Sequence, residues 1–289
     1  SSPRVVEVHL PWLMGVRRHL PLSVKVVPVM QNIESLWYEP AIRNRPGADR
    51  LRRRLSILER EGIRLADHVL CLTPEDRDAL RELYAVPEDR ITVIPPGTDI
   101  PESVPPASES GSDRRRAVFV GSPFSGNLEA ARELIAAVGS SCGDGMELSI
   151  AGGICRDLAR DPLPPGVRLV GTPADCAPLF AASDVLLNPG GIGTGIHVKV
   201  LDALAMGCRV VSTPLGARGY APLLGGPIRV GPLTSFAELA RSAVRLTPEE
   251  MKPVRAYAWP KIVRRRLDLY EQLCGTAREG RDGPSHRHR

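Results

Sequence analysis

Apolar residues along this chain come in short blocks with two alternating periods. Residues 4–9 and 24–30 are valine-rich runs of strand type. Across residues 48–64, Leu51, Leu55 and Leu58 recur at helical spacing and predict one amphipathic helix. A short buried strand is expected at 68–72. Thr73 then supplies an N-cap, Pro74 the first helical position and Asp76 a first-turn acid. They open a helix whose apolar face carries Leu80, Leu83 and Tyr84. Residues 91–94 read as another strand, stopped by Pro95, Pro96 and Gly97. Residues 101–116 have the proline, serine and charge content of a linker. The alternation then resumes with strand 117–120, a helix near 127–139, strands 147–150 and 167–170, and a helix at 174–183. Such alternation predicts an α/β chain of two Rossmann-like parallel-sheet domains. Ligands then belong at the carboxyl ends of the strands, in the cleft between the sheets.

The densest signal lies in residues 184–219. An apolar run at 184–188 reads as a buried strand, and Gly190, Gly191, Gly193 and Gly195 follow it. A helical segment comes next, with Val198, Leu201 and Leu204 on one face. It stops at Gly207, and a strand follows at 209–212. Glycines let the backbone pass close to a ligand, and the free N–H groups of a helix start favour an anion. The loop has neither the Gly-Lys-Ser/Thr ending nor the G-x-G-x-x-G spacing of the common phosphate loops. A tight turn is therefore the competing reading of its composition.

Composition narrows the class. At 289 residues and 43% hydrophobic content, the chain supports two cored domains. No apolar run reaches the length of a membrane span and no signal peptide is evident, so a cytoplasmic protein is expected. The six cysteines show no paired metal spacing and read as reduced thiols; no metal site is predicted. The net charge of +5 is uneven, because Arg43, Arg45, Arg50, Arg52, Arg53 and Arg54 face one acid, Asp49. That cluster is either a solvated helix face or a peripheral contact with anionic lipid, which would put the protein at the inner face of the membrane. A phosphorylated acceptor is the other anion such a surface would meet. With 4% aromatics, none interleaved with these arginines, nucleic acid is not an expected partner. The tail 277–289, with His286 and His288, reads as disordered.

Pro189, Gly193, Gly195, Lys199, Leu201, Asp202, Ala203, Ala205, Gly207, Val210, Val211, Gly216 and Gly219 stand in a fixed order. It closely resembles the donor-site pattern of the family 4 (group 1) retaining glycosyltransferases of GT-B fold. Arg209 stands where that pattern has proline. Further matches are Ala66 and Asp67, Thr73 to Asp76, Val93 to Asp99, and Val120 to Phe124 with Asn127. A final segment, 259–270, is similar to the family's closing helix. The resemblance covers about residues 5–275.

The resemblance implies an acceptor-side domain at 1–100, a nucleotide-sugar domain at 117–258, and a closing helix at 259–276 packed back on the first domain. It also implies that Gly190, Gly191, Gly193 and Gly195, with the backbone of His197 and Val198, cradle a donor diphosphate. Lys199 would add charge, and Asp202 takes the place of a ribose-holding glutamate. Gly121, Ser122 and Asn127 would line the cleft, with Arg218 as another phosphate partner. Thr194 stands where many members carry a glutamate near the donor sugar. Gln31 stands where many carry a histidine, and glutamine does not titrate. Gln31, the nearby Glu34, and His9 on a strand-end loop are the catalytic candidates.

The implied activity is transfer of a sugar from a nucleotide-diphosphate donor to a glycan, lipid or small-molecule acceptor. Stereochemistry would be retained and no cofactor is expected. Two alternatives stand beside it, a nucleotide-sugar epimerase of the same fold and a non-catalytic or truncated partner subunit. The family's opening glycine loop and first βα units are not matched here. The first domain is therefore expected to be incomplete and transfer by this chain impaired.

Overall fold

The valine-rich runs pair as parallel strands, although one of them contains a proline. In the strand Lys25–Met30 (β2), residues 25–28 pair with Val5–Val8 (β1), while Val29 and Met30 pair with Val69–Cys71 (β3). Pro28, which has no N–H to give, sits where β2 passes from one neighbour to the other. Ile91–Val93 (β4) completes a parallel sheet of order β1-β2-β3-β4. The computed structural model describes residues 3–103, 114–143, 145–190 and 195–275. Gly191, Gly193, Thr194 and the tail 277–289 with its two histidines lie outside them.

The second sheet comprises Arg115–Val120 (β5), Met146–Ala151 (β6), Val167–Gly171 (β7), Val185–Asn188 (β8), Arg209–Ser212 (β9) and Ile228–Val230 (β10). All pairs are parallel, in the order β10-β9-β8-β5-β6-β7. The chain winds outward from β5 through β6 and β7, then returns to β8 on β5's other side. The crevice between the carboxyl ends of β5 and β8 is thus a topological switch point, where open α/β sheets hold ligands.

Each sheet has an apolar cluster on both faces. Val8, Met30, Ile63 and Leu80 fill one face of the first sheet. Its other face is closed by the helix Trp259–Leu273, whose Ile262 and Leu269 pack on Val27, Val29, Leu70, Leu72 and Ile94. The chain crosses between sheets twice, and the crossings hold each other. Thr98 N–H donates to the Tyr257 carbonyl at 3.0 Å, and Trp259 N–H to the Thr98 carbonyl at 3.2 Å. Gly97 has no room for a side chain there, since a Cβ would lie 2.5 Å from the Trp259 ring.

Three apolar faces differ from the expected ones. The helix Ala48–Arg64 buries Glu59, Gly62 and Ile63, while Leu51 and Leu58 are exposed. Gly62 sets this contact strip. A Cβ on it would stand 2.3 Å from the Pro11 carbonyl oxygen, so the 3-10 helix Pro11–His19 packs directly on the helix backbone. The helix Pro74–Tyr84 buries Leu80 and Asp76 but leaves Leu83 exposed. In Val198–Ala205 the buried face is Val200, Leu201, Ala203 and Leu204, and Val198 in the first turn is exposed. No helix among the described residues is long and apolar enough to cross a membrane. The six cysteines are free thiols, four of them buried.

Candidate functional site

A cavity of about 310 Å³ opens at the β5/β8 crevice, between the two sheets. Behind its lining residue His197 lies Asn188, the buried last residue of β8. Asn188 Nδ2 donates to Ser212 Oγ and to the Gly216 carbonyl, both at 3.0 Å. Its Oδ1 faces His197 Nδ1 at 3.0 Å. Gly190 permits this packing, because a Cβ there would lie 2.6 Å from Gly216 Cα and 2.8 Å from His197 Cε1. Gly195 has a left-handed φ of +83° and seats against the first domain, with Asn32 Oδ1 2.3 Å and the Gln31 carbonyl oxygen 2.5 Å from where a Cβ would stand.

Lys199 enters the cavity from the first turn of the helix Val198–Ala205. Its Nζ donates to the Val120 carbonyl at 2.9 Å and lies 4.6 Å from the centre of the Phe119 ring. Burial pulls its pKa down to about 8. Among the described residues no carboxylate pairs with it, and it is the one charged side chain lining this cavity. Ser122 and Asn127 line the same cavity and bond to each other at 2.9 Å. Gly121 lies behind them, its N–H on the Ala151 carbonyl at 2.9 Å.

Asp202 faces a second hollow, of about 400 Å³, with Thr98, Asp99, Asp175, Val198 and Trp259. Thr98 Oγ1 donates to its Oδ1 at 2.9 Å. Burial raises the Asp202 carboxyl above its ordinary range, with Asp99 and Asp175 adding to the rise and the Thr98 bond opposing it. The two hollows therefore differ in sign. One carries a lysine, the other three carboxylates.

The first-domain candidates His9, Gln31 and Glu34 are not among the residues that line the cavity. His9 is half-exposed, with Nε2 3.3 Å from Glu7 and Nδ1 3.4 Å from Gln31 Nε2. Glu34 is buried and does not line the cavity. Burial first, and then the neighbouring Glu59 carboxylate, lift it to about 7, against a hydrogen bond from Asn32. Glu59 itself accepts from the Glu34 and Ser35 N–H groups at 2.7 and 3.3 Å, and from the Ser35 hydroxyl at 2.8 Å. It thereby caps the short helix Glu34–Trp37 from outside.

Arg218, read as a phosphate partner, is instead paired across the cleft. Its Nη2 lies 3.1 Å from Oδ1 of the fully buried Asp76. Oδ2 of Asp76 and Nε of Arg218 have no hydrogen-bond partner among the described residues. The cavity residues that sequence reasoning missed are aromatic or neutral. Asn32 and Trp37 come from the first domain and Phe124 from the second. Trp37 stacks on Phe124 with ring centres 5.1 Å apart and an interplanar angle of 20°. Phe124 ends the matched loop Val120 to Phe124, and the fold brings Asn32 and Trp37 to it.

The family model described as Glycosyltransferase Family 4 matches residues 1–102. That described as Glycosyl transferases group 1 matches residues 114–246. The comparison with curated proteins gave no match. Among solved structures, sucrose-phosphate synthase from Thermosynechococcus elongatus is similar with a TM-score of 0.72 at 17% identity, over 95% of this chain and 74% of that one. Anabaena HepE, solved with UDP-glucose, gives 0.61 at 16% identity, over 94% of this chain and 78% of that one. WaaG, a glycosyltransferase involved in lipopolysaccharide biosynthesis, gives 0.56 at 19% identity, over 92% and 80%. At these identities the likeness is one of fold.

Proposed function

The chain belongs to the family 4 (group 1) glycosyltransferases and has their GT-B fold, and from that premise we propose that it moves a sugar from a nucleotide-diphosphate donor to an acceptor hydroxyl in the cavity between its sheets. The observation that carries this reading is Lys199, a desolvated cation without a carboxylate partner among the described residues, at the β5/β8 switch point. Family membership supports retention of stereochemistry.

The opposite signs of the two hollows orient the donor. The diphosphate belongs with Lys199 and the first N–H groups of the helix Val198–Ala205. The nucleoside belongs beside Asp202, where carboxylates accept from ribose hydroxyls and repel phosphate. Lys199 and Asp202 are three residues apart on one helix, so one extended ligand reaches both. As the sugar leaves, negative charge grows on the diphosphate. Lys199 and the helix start answer that charge without reorganising. This task falls to the chain's own groups. Domain closure over the cavity supplies orientation, and the Trp37–Phe124 stack spans that closure.

Calorimetric titration with UDP and with GDP tests the reading. One of them should bind the wild type, and Lys199→Met should weaken it by about 1.5–3 kcal/mol, as for a hydrogen bond to a charged group. Binding that ignores this substitution would remove Lys199 from the donor site.

One observation favours a lipid-borne acceptor. Leu51 and Leu58 are exposed on the same helix as the exposed Arg50, Arg53 and Arg54. We propose that this basic, partly apolar face meets an anionic membrane surface. Its measure is co-sedimentation with phosphatidylglycerol vesicles, which should be lost with phosphatidylcholine alone.

A further inference from the structure

His197 has a defined proton arrangement, fixed by a neighbour. The Gly216 carbonyl can only accept, so the Asn188 atom 3.0 Å from it must be the amide nitrogen. The amide oxygen of Asn188 then faces His197 Nδ1 at 3.0 Å, so Nδ1 must carry the proton. A neutral imidazole protonated at Nδ1 has a bare lone pair on Nε2. Among the described residues no donor reaches that nitrogen, and the ring lines the cavity that holds Lys199. Burial and the nearby Lys199 charge hold the histidine's pKa down at about 4. The ring therefore stays neutral at physiological pH and accepts hydrogen bonds without taking up protons.

A bare acceptor on a ring that lines a diphosphate-sugar cavity discriminates among the cavity's occupants. Phosphate oxygens at neutral pH are acceptors too, and gain nothing from Nε2. A sugar hydroxyl donates. We propose that His197 Nε2 accepts a hydrogen bond from a hydroxyl of the donor's sugar, which makes His197 a specificity-determining residue for that sugar. The inference rests on the donor-site reading above and deepens it.

Two measurements on the full chain test it. In a nitrogen-15 spectrum of labelled protein, the signals lost in His197→Phe identify this ring. They should show neutral imidazole protonated at Nδ1 at neutral pH. The other tautomer, or an imidazolium, would overturn the assignment with or without ligand. The second measurement compares UDP and GDP with UDP-glucose, UDP-galactose, UDP-N-acetylglucosamine and GDP-mannose, by calorimetry. His197→Phe should weaken the tightest-binding sugar nucleotide by about three- to tenfold, the worth of one hydrogen bond, and leave its parent nucleotide unchanged. His197→Gln, which restores an acceptor, should recover part of the loss. An equal fall for nucleotide and sugar nucleotide would mean that the ring only supports the loop. No fall for either would mean that Nε2 reads nothing. A wild type that binds none of these ligands would sink the donor-site reading itself, and this inference with it.

Discussion

Two single residues carry charge states that burial has displaced, in opposite directions. Lys199 has a folded-state pKa lowered to about 8, so between pH 8 and its ordinary value near 10.5 the unfolded chain holds the extra proton. Stability therefore rises with pH across that window, while a bound diphosphate favours the charged form. Nucleotide affinity should be greatest below pH 8 and fall as pH rises through it. Affinity that stays level from about pH 7 to about pH 9.5 would show that the ammonium is not in contact with phosphate. Glu34 has a folded-state pKa raised from 4.5 to about 7. Here the folded chain holds the proton more tightly, so the benefit is present below pH 4.5 and disappears as pH rises through 7. Glu34→Gln keeps a neutral side chain at every pH. It should raise the melting midpoint by roughly 2–4 °C near pH 8, and change it little near pH 4. An equal shift at both pH values would mean that charge is not the cause.

At the scale of elements, the departure of Arg209 from the family pattern has a structural account. Its side chain is 4% exposed at the start of β9, and its guanidinium binds the Val244 carbonyl at 2.8 Å, the Gly226 carbonyl at 2.6 Å and Glu250 at 2.6 Å. One side chain thus ties β9 to the loops on either side of β10 and the helix Phe236–Arg241. Arg209→Pro restores the family residue but orphans these acceptors. It should destabilise the second domain by about 2–4 kcal/mol in urea unfolding. Elements of this kind were legible in proportion to their length and local chemistry. The helix Ala48–Arg64 and the strand Arg209–Ser212 appear with the bounds their periodicity predicts, and Thr73 caps its helix by accepting from Asp76 N–H at 3.0 Å. The three-residue strand Ile228–Val230 has two apolar residues around Arg229 and lies between Pro227 and Gly231, without the longer apolar run that marked the equally short Val69–Cys71. The 3-10 helix Pro11–His19 lies between prolines and reads as loop. In the site, glycine density pointed to Gly190 and Gly195, and the family resemblance to Lys199. Phe124 was marked only as the end of a matched loop, and Asn32 and Trp37 were not picked out as site residues, because the roles of all three depend on which sheet faces which.

At the scale of the whole molecule, the buried Asp76–Arg218 pair and the Trp37–Phe124 stack join the two sheets across the cleft. Arg218→Ala leaves Asp76 buried without its cation and should cost about 3–5 kcal/mol. Adding Asp76→Asn should recover much of that loss, whereas additive losses in a double-mutant cycle would show the two side chains to be energetically independent. The helix Trp259–Leu273 joins the sheets differently, by sealing the first of them with residues made after the second. On the ribosome, Val27, Val29 and Leu70 emerge long before Ile262 and Leu269. At roughly 5–20 residues per second, that face of the first sheet waits about 10–40 s for its cover. The first sheet is thus made before the second and finished after it, and between the emergence of Leu70 and that of Ile262 the nascent chain presents a bare valine and leucine surface. A cell that makes this protein in quantity must shield that surface, so stalled or prematurely ended translation before residue 259 should give chains held by ribosome-associated chaperones or lost to aggregation.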